Sequence, residues 1–152
     1  MNDEPKFSEL CKFFPKQQEA LNAAKRFKFT LFGGSVGSGK SYWIRWATIW
    51  FLMDYYQRYN LEGIRAGIFC EDYPSLNDRH LTKVKYEFPS WLGKFNEAKH
   101  EFTLAKKWGS GIIAFRNLDD PAKYLSVEFA LEAIDDINRN PKTTFDQLRS
   151  RL

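Results

Sequence analysis

The chain has 152 residues, enough for one domain with a real hydrophobic core rather than a miniprotein held by staples. It is 43% hydrophobic, 28% charged and 17% aromatic, largely through 14 Phe and 7 Tyr, which excludes a disordered composition. The net charge of +4, with a pI near 9.0, is compatible with a polyanionic partner and demands none.

The opening "MNDEPKFSEL" lacks the basic-then-apolar pattern of a signal peptide. "FFPKQQEALNAAKRF" predicts a short helix with Pro15 in its first turn and Ala20, Leu21 and Ala24 on one face. Lys28 to Phe32, "KFTLF", reads as an apolar strand entering a glycine-rich turn. From Lys40 to about Tyr59 the pattern is helical, and Trp43, Trp46, Trp50 and Met53 form a stripe expected in the core. Its apolar run, Trp46 to Met53, is far short of the ~20 residues that span a bilayer, so a soluble protein of the cytoplasm is expected, with no membrane partner.

Gly63 marks a turn before a buried-type strand, Ala66 to Cys70. A helix is expected from an N-cap at Ser75 to about Glu87, stopping before Pro89. "HEFTLAKKWGSGIIAFRN" predicts a β-hairpin around Gly109, Ser110 and Gly111. "SVEFALEAI" predicts another strand, and a last helix follows with Thr143 or Thr144 as its N-cap. Strands alternating with helices give a single α/β domain over 1–152, with a largely parallel sheet interrupted by one hairpin and no internal repeat. The last helix has no glycine cap and no following strand, so the domain is expected to be incomplete at that end. Cys11 and Cys70 match no metal or redox spacing and read as reduced thiols; His80 and His100 are isolated and read as non-ligands.

"GSVGSGKS", Gly34 to Ser41, satisfies G-x-x-x-x-G-K-[ST] in full, with an apolar stretch before it and a long helix after it. Gly34, Gly37 and Gly39 let the backbone turn so that N–H groups, those of Ser35, Val36 and Ser38 included, point at phosphate oxygens. The helix that begins near Lys40 adds the positive end of its dipole. Lys40 can reach the β- and γ-phosphates, and the Ser41 hydroxyl can bind Mg²⁺.

Hydrolysis also needs an acid for the metal and a group that orients water. "FALEAIDD" is expected to end a buried strand beside the phosphate-loop strand, with Asp135 holding magnesium and Asp136 orienting the water. Glu132 interrupts that strand and faces either solvent or the site; Asp119 and Asp120 read as a solvated turn. No Asn-Lys-x-Asp motif is present, which disfavours guanine, and either Gln17 or Gln18 could read adenine.

The order of "FPKQQEAL", "FGGSVGSGKS", "IRAGIFCEDYPSLNDRHL", "HEFTLAKKWGSGIIAFRNLDD", "EFALEAIDDI" and "FDQLRSRL" resembles the N-terminal ATPase domain of the large terminase subunit of tailed bacteriophages. The resemblance runs over nearly the whole chain from about Phe14. It implies a P-loop NTPase fold of the RecA-like, ASCE type, ATP and Mg²⁺ as cofactors, and a motor that moves double-stranded DNA into procapsids. It further implies a homo-oligomeric ring on a portal protein, working with a small terminase subunit in the host cytoplasm. It assigns Lys40 and Ser41 to phosphate and metal, Asp135 to the Walker B position and Asp136 to the catalytic glutamate position.

The chain departs from that pattern in several places. Val36 stands where many terminases have an arginine. The loop before the Walker B strand offers Lys123 and no arginine, with Arg116 and Arg149 as substitutes for the ring-neighbour residue. The coupling motif and the nuclease domain do not follow, so a fragment or truncated relative unable to cut DNA is expected. A second reading is a nucleotide-binding assembly module with little turnover, suggested by aspartate at position 136. A third, a small-molecule kinase, predicts an arginine-rich lid that is not visible. Lys83, Lys85, Lys106 and Lys107 could meet DNA phosphates, although such faces are usually just solvated.

Overall fold

The computed structural model describes residues 7–34, 37, 39–119, 127–139 and 141–149. Ser35, Val36, Ser38, Asp120 and Lys123 lie outside the described residues. After a short turn of helix, α1 (Phe7–Leu10), comes α2 (Pro15–Arg26), with proline at the position where a missing N–H costs nothing. The long α3 (Lys40–Tyr59) starts from Gly39 and stops at Asn60, both in left-handed backbone. Nine of its residues are buried, Arg45 and Thr48 among them, so it is wrapped by protein on most sides. Within the tryptophan stripe Trp46 and Met53 are buried, whereas Trp43 and Trp50 are only half-buried.

Strand β1 (Arg65–Cys70) runs parallel to both of its neighbours, β4 (Ile112–Asn117) and β5 (Leu131–Ile134). Ile68 lies opposite Phe115 on one side and Ala133 on the other. Between β1 and β4 the chain makes a helical segment, then β2 (Gly93–Asn96) and β3 (Glu101–Leu104). Both of these strands join the same sheet antiparallel, giving the order β2-β3-β4-β1-β5. The expected hairpin is therefore β3 and β4, and it is an integral part of a mixed sheet rather than an interruption of a parallel one.

Alternation along the strands separates two cores. Ala66, Ile68, Cys70, Ile113, Phe115, Leu131 and Ala133 face α3 and the segment 73–87. Phe69, Ala114 and Ile134 face the other way, towards Phe129 and Leu148 of α6 (Lys142–Arg149). Two sheet faces covered by helices explain why β1 reads as an almost uninterrupted apolar run.

Four expectations about elements are corrected. Residues 28–32 form no strand; Phe29 and Leu31 are exposed, and Phe29 and Phe32 pack edge-on against Phe145 and Trp43. An alternating apolar pattern suits a strand, but a ladder needs a partner, and β5 pairs only with β1 among the described residues. The helix expected from Ser75 begins earlier, at Tyr73, because Asp72 caps it by accepting the Ser75 N–H at 2.8 Å. It continues as α4 (Tyr73–Leu76), a π turn over Asn77–Leu81 and α5 (Thr82–Glu87). Finally, α6 is already under way at Lys142, which puts Thr143 and Thr144 inside it, and β5 starts at Leu131, which leaves 127–130 of the expected strand outside it.

Candidate functional site

The glycine-rich turn and the end of β5 meet at the start of α3. Gly37 and Gly39 have φ of 81° and 76°, a region that side-chain-bearing residues rarely adopt. A Cβ on Gly39 would also stand 2.6 Å from Gln17 Nε2. Gln17 is buried and clamps this corner: its Oε1 accepts the Phe14 N–H at 2.8 Å and its Nε2 donates to the Gly39 carbonyl at 3.1 Å. The first turn of the 20-residue α3 opens beside these glycines, so its N–H groups without intrahelical partners lie next to the loop. Lys40 Nζ donates to the Gly34 carbonyl at 2.7 Å, folded over the loop that it follows.

Asp135 stands at the carboxyl end of β5, held there by its N–H donating to the Phe69 carbonyl at 2.9 Å. It is 3% exposed, and one oxygen, Oδ2, receives two partners. Ser41 Oγ donates to it at 2.6 Å across 94 residues of chain, and His80 Nε2 lies 2.9 Å away. Burial alone would push the Asp135 carboxyl up; the bonds from His80 and Ser41, with the Arg79 charge, outweigh it and hold the group below its ordinary value. Burial likewise moves His80 down, with Arg45 adding to that and Asp135 opposing it, so the imidazole is neutral at pH 7.

The next residue, Asp136, takes left-handed backbone with φ of 53°. Its Oδ2 lies 3.3 Å from Arg79 Nη2 and 3.6 Å from Arg139 Nε. Arg79 also grips Glu71, at the end of β1, through two bonds of 3.0 and 2.9 Å. Burial would raise the Glu71 carboxyl, but Arg79 and Ser75 bring it below the ordinary 4.5. The carboxyl ends of two adjacent parallel strands thus carry Glu71, Asp135 and Asp136, with Arg79 and, at longer range, Arg139 lying between Glu71 and Asp136.

The sequence motifs are brought together only in part. Gly34, Gly37, Gly39, Lys40, Ser41, Asp135 and Asp136 converge as described. Gln18 is exposed and donates to Asn22 at 3.1 Å, away from the clamp that its neighbour Gln17 makes. The strand of Asp135 lies beside β1, not beside residues 28–32. Glu132 is half-buried opposite Gly67 and, by alternation, lies on the sheet face opposite Ala133 and away from Ser41. Asp119 is exposed and accepts from Asn117 at 2.8 Å. Arg116 is committed to Glu101 at 2.8 Å and to nearby carbonyls, while Arg149 is exposed. Lys83, Lys85, Lys106 and Lys107 are exposed, Lys85 pairing with Glu97 and Lys107 lying over Trp91 and Trp108.

Four residues at the site escaped the sequence reading: Arg45, Glu71, Arg79 and His80. Arg45 did leave a signal, as the lone charge in the apolar run "YWIRWATIW", since a buried charge requires partners. Cys70, His80 and Asp135 bring donor atoms within 4.8 Å of one another, all three residues buried. Cys11 and Cys70 are both free thiols.

No protein-family profile and no curated protein matches this chain. Among solved structures, the large terminase from a thermophilic bacteriophage is similar in three crystal structures. One superposes with a TM-score of 0.76 at 16% identity, over 93% of this chain and 36% of that one. A second, in complex with ADP, gives 0.71 at 18% identity, over 91% and 36% respectively. The chain thus has a terminase-like fold and spans about a third of the length of the structures it matches.

Proposed function

We propose that the chain is a P-loop nucleotide module that binds ATP with Mg²⁺ and hydrolyses it as the engine of a DNA-packaging terminase. One observation carries the reading: the Ser41 hydroxyl bonded to Asp135 at 2.6 Å joins the glycine-rich loop to the acidic strand end. Those two oxygens suit a hard divalent cation, which prefers hydroxyl, carboxylate and water ligands. When bound, such an ion would neutralise charge on the β- and γ-phosphates.

The chain's own groups have separable tasks. Backbone N–H groups of Gly34 to Gly39 and of the first turn of α3 would cradle the phosphates. Lys40 would exchange its Gly34 carbonyl for a phosphate oxygen. Asp136 would orient the attacking water and accept its proton, while the bond from the γ-phosphorus to the bridging oxygen breaks towards ADP. Gln17, clamped on the loop backbone, would sit at the edge of the adenine subsite, with Gln18 as the alternative.

Beyond the nucleotide, the reading extends to double-stranded DNA, a portal protein, a small terminase subunit and a ring of copies in the host cytoplasm. These partners rest on the resemblance alone. A second reading, an assembly module with little turnover, is favoured by the engagement of Asp136 with Arg79 and Arg139. ATP turnover measured with and without duplex DNA over a salt series separates the readings. For the motor, DNA stimulates turnover and salt removes the stimulation. Lys40→Ala then abolishes turnover, and Asp136→Asn stops it while leaving nucleotide binding intact. Turnover persisting in both variants would overturn the site assignment, and a large gain in Asp136→Glu would favour the assembly module.

A further inference from the structure

His80 has no part in the chemistry so far, yet it is fully buried in contact with the site's central carboxylate. It comes from the π turn over Asn77–Leu81, inside an otherwise α-helical segment. Such turns add a residue to the helix and re-aim the side chains around them, and they recur at functional sites. The ring packs against Phe115, centroids 6.0 Å apart, so it is held on its face as well as on its edge.

The state of the ring follows from its partners. Arg45 Nη1 lies 3.1 Å from His80 Nδ1, and a guanidinium can only donate. Nδ1 is therefore the acceptor, the ring proton sits on Nε2, and Nε2–H donates to Asp135 Oδ2 at 2.9 Å. Arg45 is fixed in turn. Its Nε and Nη2 grip Glu87 at 2.7 and 2.6 Å, and Nη1 also donates to the Arg79 carbonyl at 2.5 Å. Anchored on Glu87, Arg45 thus donates to His80 and His80 to Asp135, on the same carboxylate oxygen that receives Ser41.

The cluster of Cys70, His80 and Asp135 also resembles a soft-metal donor set. Two guanidinium groups lie against it, Arg45 on His80 and Arg79 beside Cys70, and Nε2 is already spent on Asp135. A relay of hydrogen bonds satisfies these contacts, whereas a soft ion held by His80 and Cys70 would have to take Nε2 away from Asp135.

We propose that His80 is a positioning residue: held by Arg45 as the Nε2–H tautomer, it orients Asp135 so that the carboxylate presents itself to the Ser41 hydroxyl and to a cation bound there. This rests on the nucleotide reading above. The probe is a fluorescent ADP analogue, bound first in EDTA and then titrated with Mg²⁺. The variants are His80→Asn, too short to reach Asp135, and His80→Gln, whose terminal amide falls near the Nε2 position. Loss of an outer-shell partner typically costs 10–100-fold in metal affinity.

The half-saturating Mg²⁺ concentration is therefore expected to rise about 10–100-fold in His80→Asn and to recover largely in His80→Gln, with binding in EDTA unchanged in both. Imidazole nitrogen resonances, assigned with His100→Asn as the reference, are expected to show the His80 proton on Nε2; this reads the chain without any substitution at the site. Equal Mg²⁺ dependence in wild type and His80→Asn overturns the proposal and leaves the nucleotide reading standing. A proton on Nδ1, or one zinc per chain retained through purification, does the same. A wild type that binds no nucleotide at any Mg²⁺ concentration overturns the nucleotide reading and this role with it.

Discussion

At the residue scale, the fold places a charge where the sequence otherwise allows only apolar side chains. Arg45 is 3% exposed, and its guanidinium is shared among Glu87, the Arg79 carbonyl and His80. Taking a buried ion pair apart costs more than never having built it, because the abandoned partner stays out of water. Glu87 keeps some solvent access, its side chain 21% exposed, which limits that penalty. Arg45→Met is expected to lower the free energy of unfolding in urea by about 3–5 kcal/mol. A loss below about 1 kcal/mol would place Arg45 among the weak surface pairs, such as Arg58 with Asp54, and contradict its structural role.

At the element scale, the sheet is locked by one acid reached from the next strand and from the one beyond it. Glu101 of β3 accepts from Arg65 of β1 at 2.6 Å and from Arg116 of β4 at 2.8 Å. Burial alone would raise its carboxyl, but the two arginines outweigh it and lower it from the ordinary 4.5. A carboxyl that is lowered in the folded protein contributes stability that is fully present above its unfolded pKa. That stability is lost as the pH falls through the folded value. The wild type is therefore expected to outlast Glu101→Gln in thermal melts at neutral pH, with the gap closing below about pH 4. A gap independent of pH would show that Glu101 acts through packing alone.

Elements were legible in the sequence to different degrees, for reasons that particular residues make plain. Helix α3 has twenty residues of strong pattern between a glycine start and an asparagine stop, and β1 is an apolar run bounded by turns. Both needed only local information. Strand β2, "GKFN", was missed because four residues with one large apolar side chain carry no pattern; Phe95 finds its place only opposite Phe102. Residues 28–32 fail in the opposite sense, a strand-like pattern for which the described sheet supplies no partner. At the site, the meeting of the loop with Asp135 could be expected from the sequence, because the proposed chemistry would need fixed residue types at fixed spacing. His80 could not: a lone histidine acquires meaning only when the fold brings Arg45 to one ring nitrogen and Asp135 to the other.

At the scale of the whole molecule, the described chain is a sheet with helices on both faces, the candidate site lying at the carboxyl ends of β1 and β5. This is where open α/β sheets place their ligands, since loops and helix N-termini converge there. No helix among the described residues is long and apolar enough to cross a membrane. The likeness to a solved large terminase concerns the fold, over about a third of that protein's length. The proposal of a nucleotide module rests instead on the joining of two distant motifs into one site.

The most direct test is the binding of a fluorescent ADP analogue as Mg²⁺ is titrated into wild type, Lys40→Ala and Asp135→Asn. The account predicts that Mg²⁺ tightens binding to the wild type and that Lys40→Ala weakens it about 10–100-fold with or without metal. Asp135→Asn should keep the metal-free affinity while losing the response to Mg²⁺. Nucleotide affinity indifferent to both substitutions would contradict the claim that the glycine-rich loop and the end of β5 form a single site.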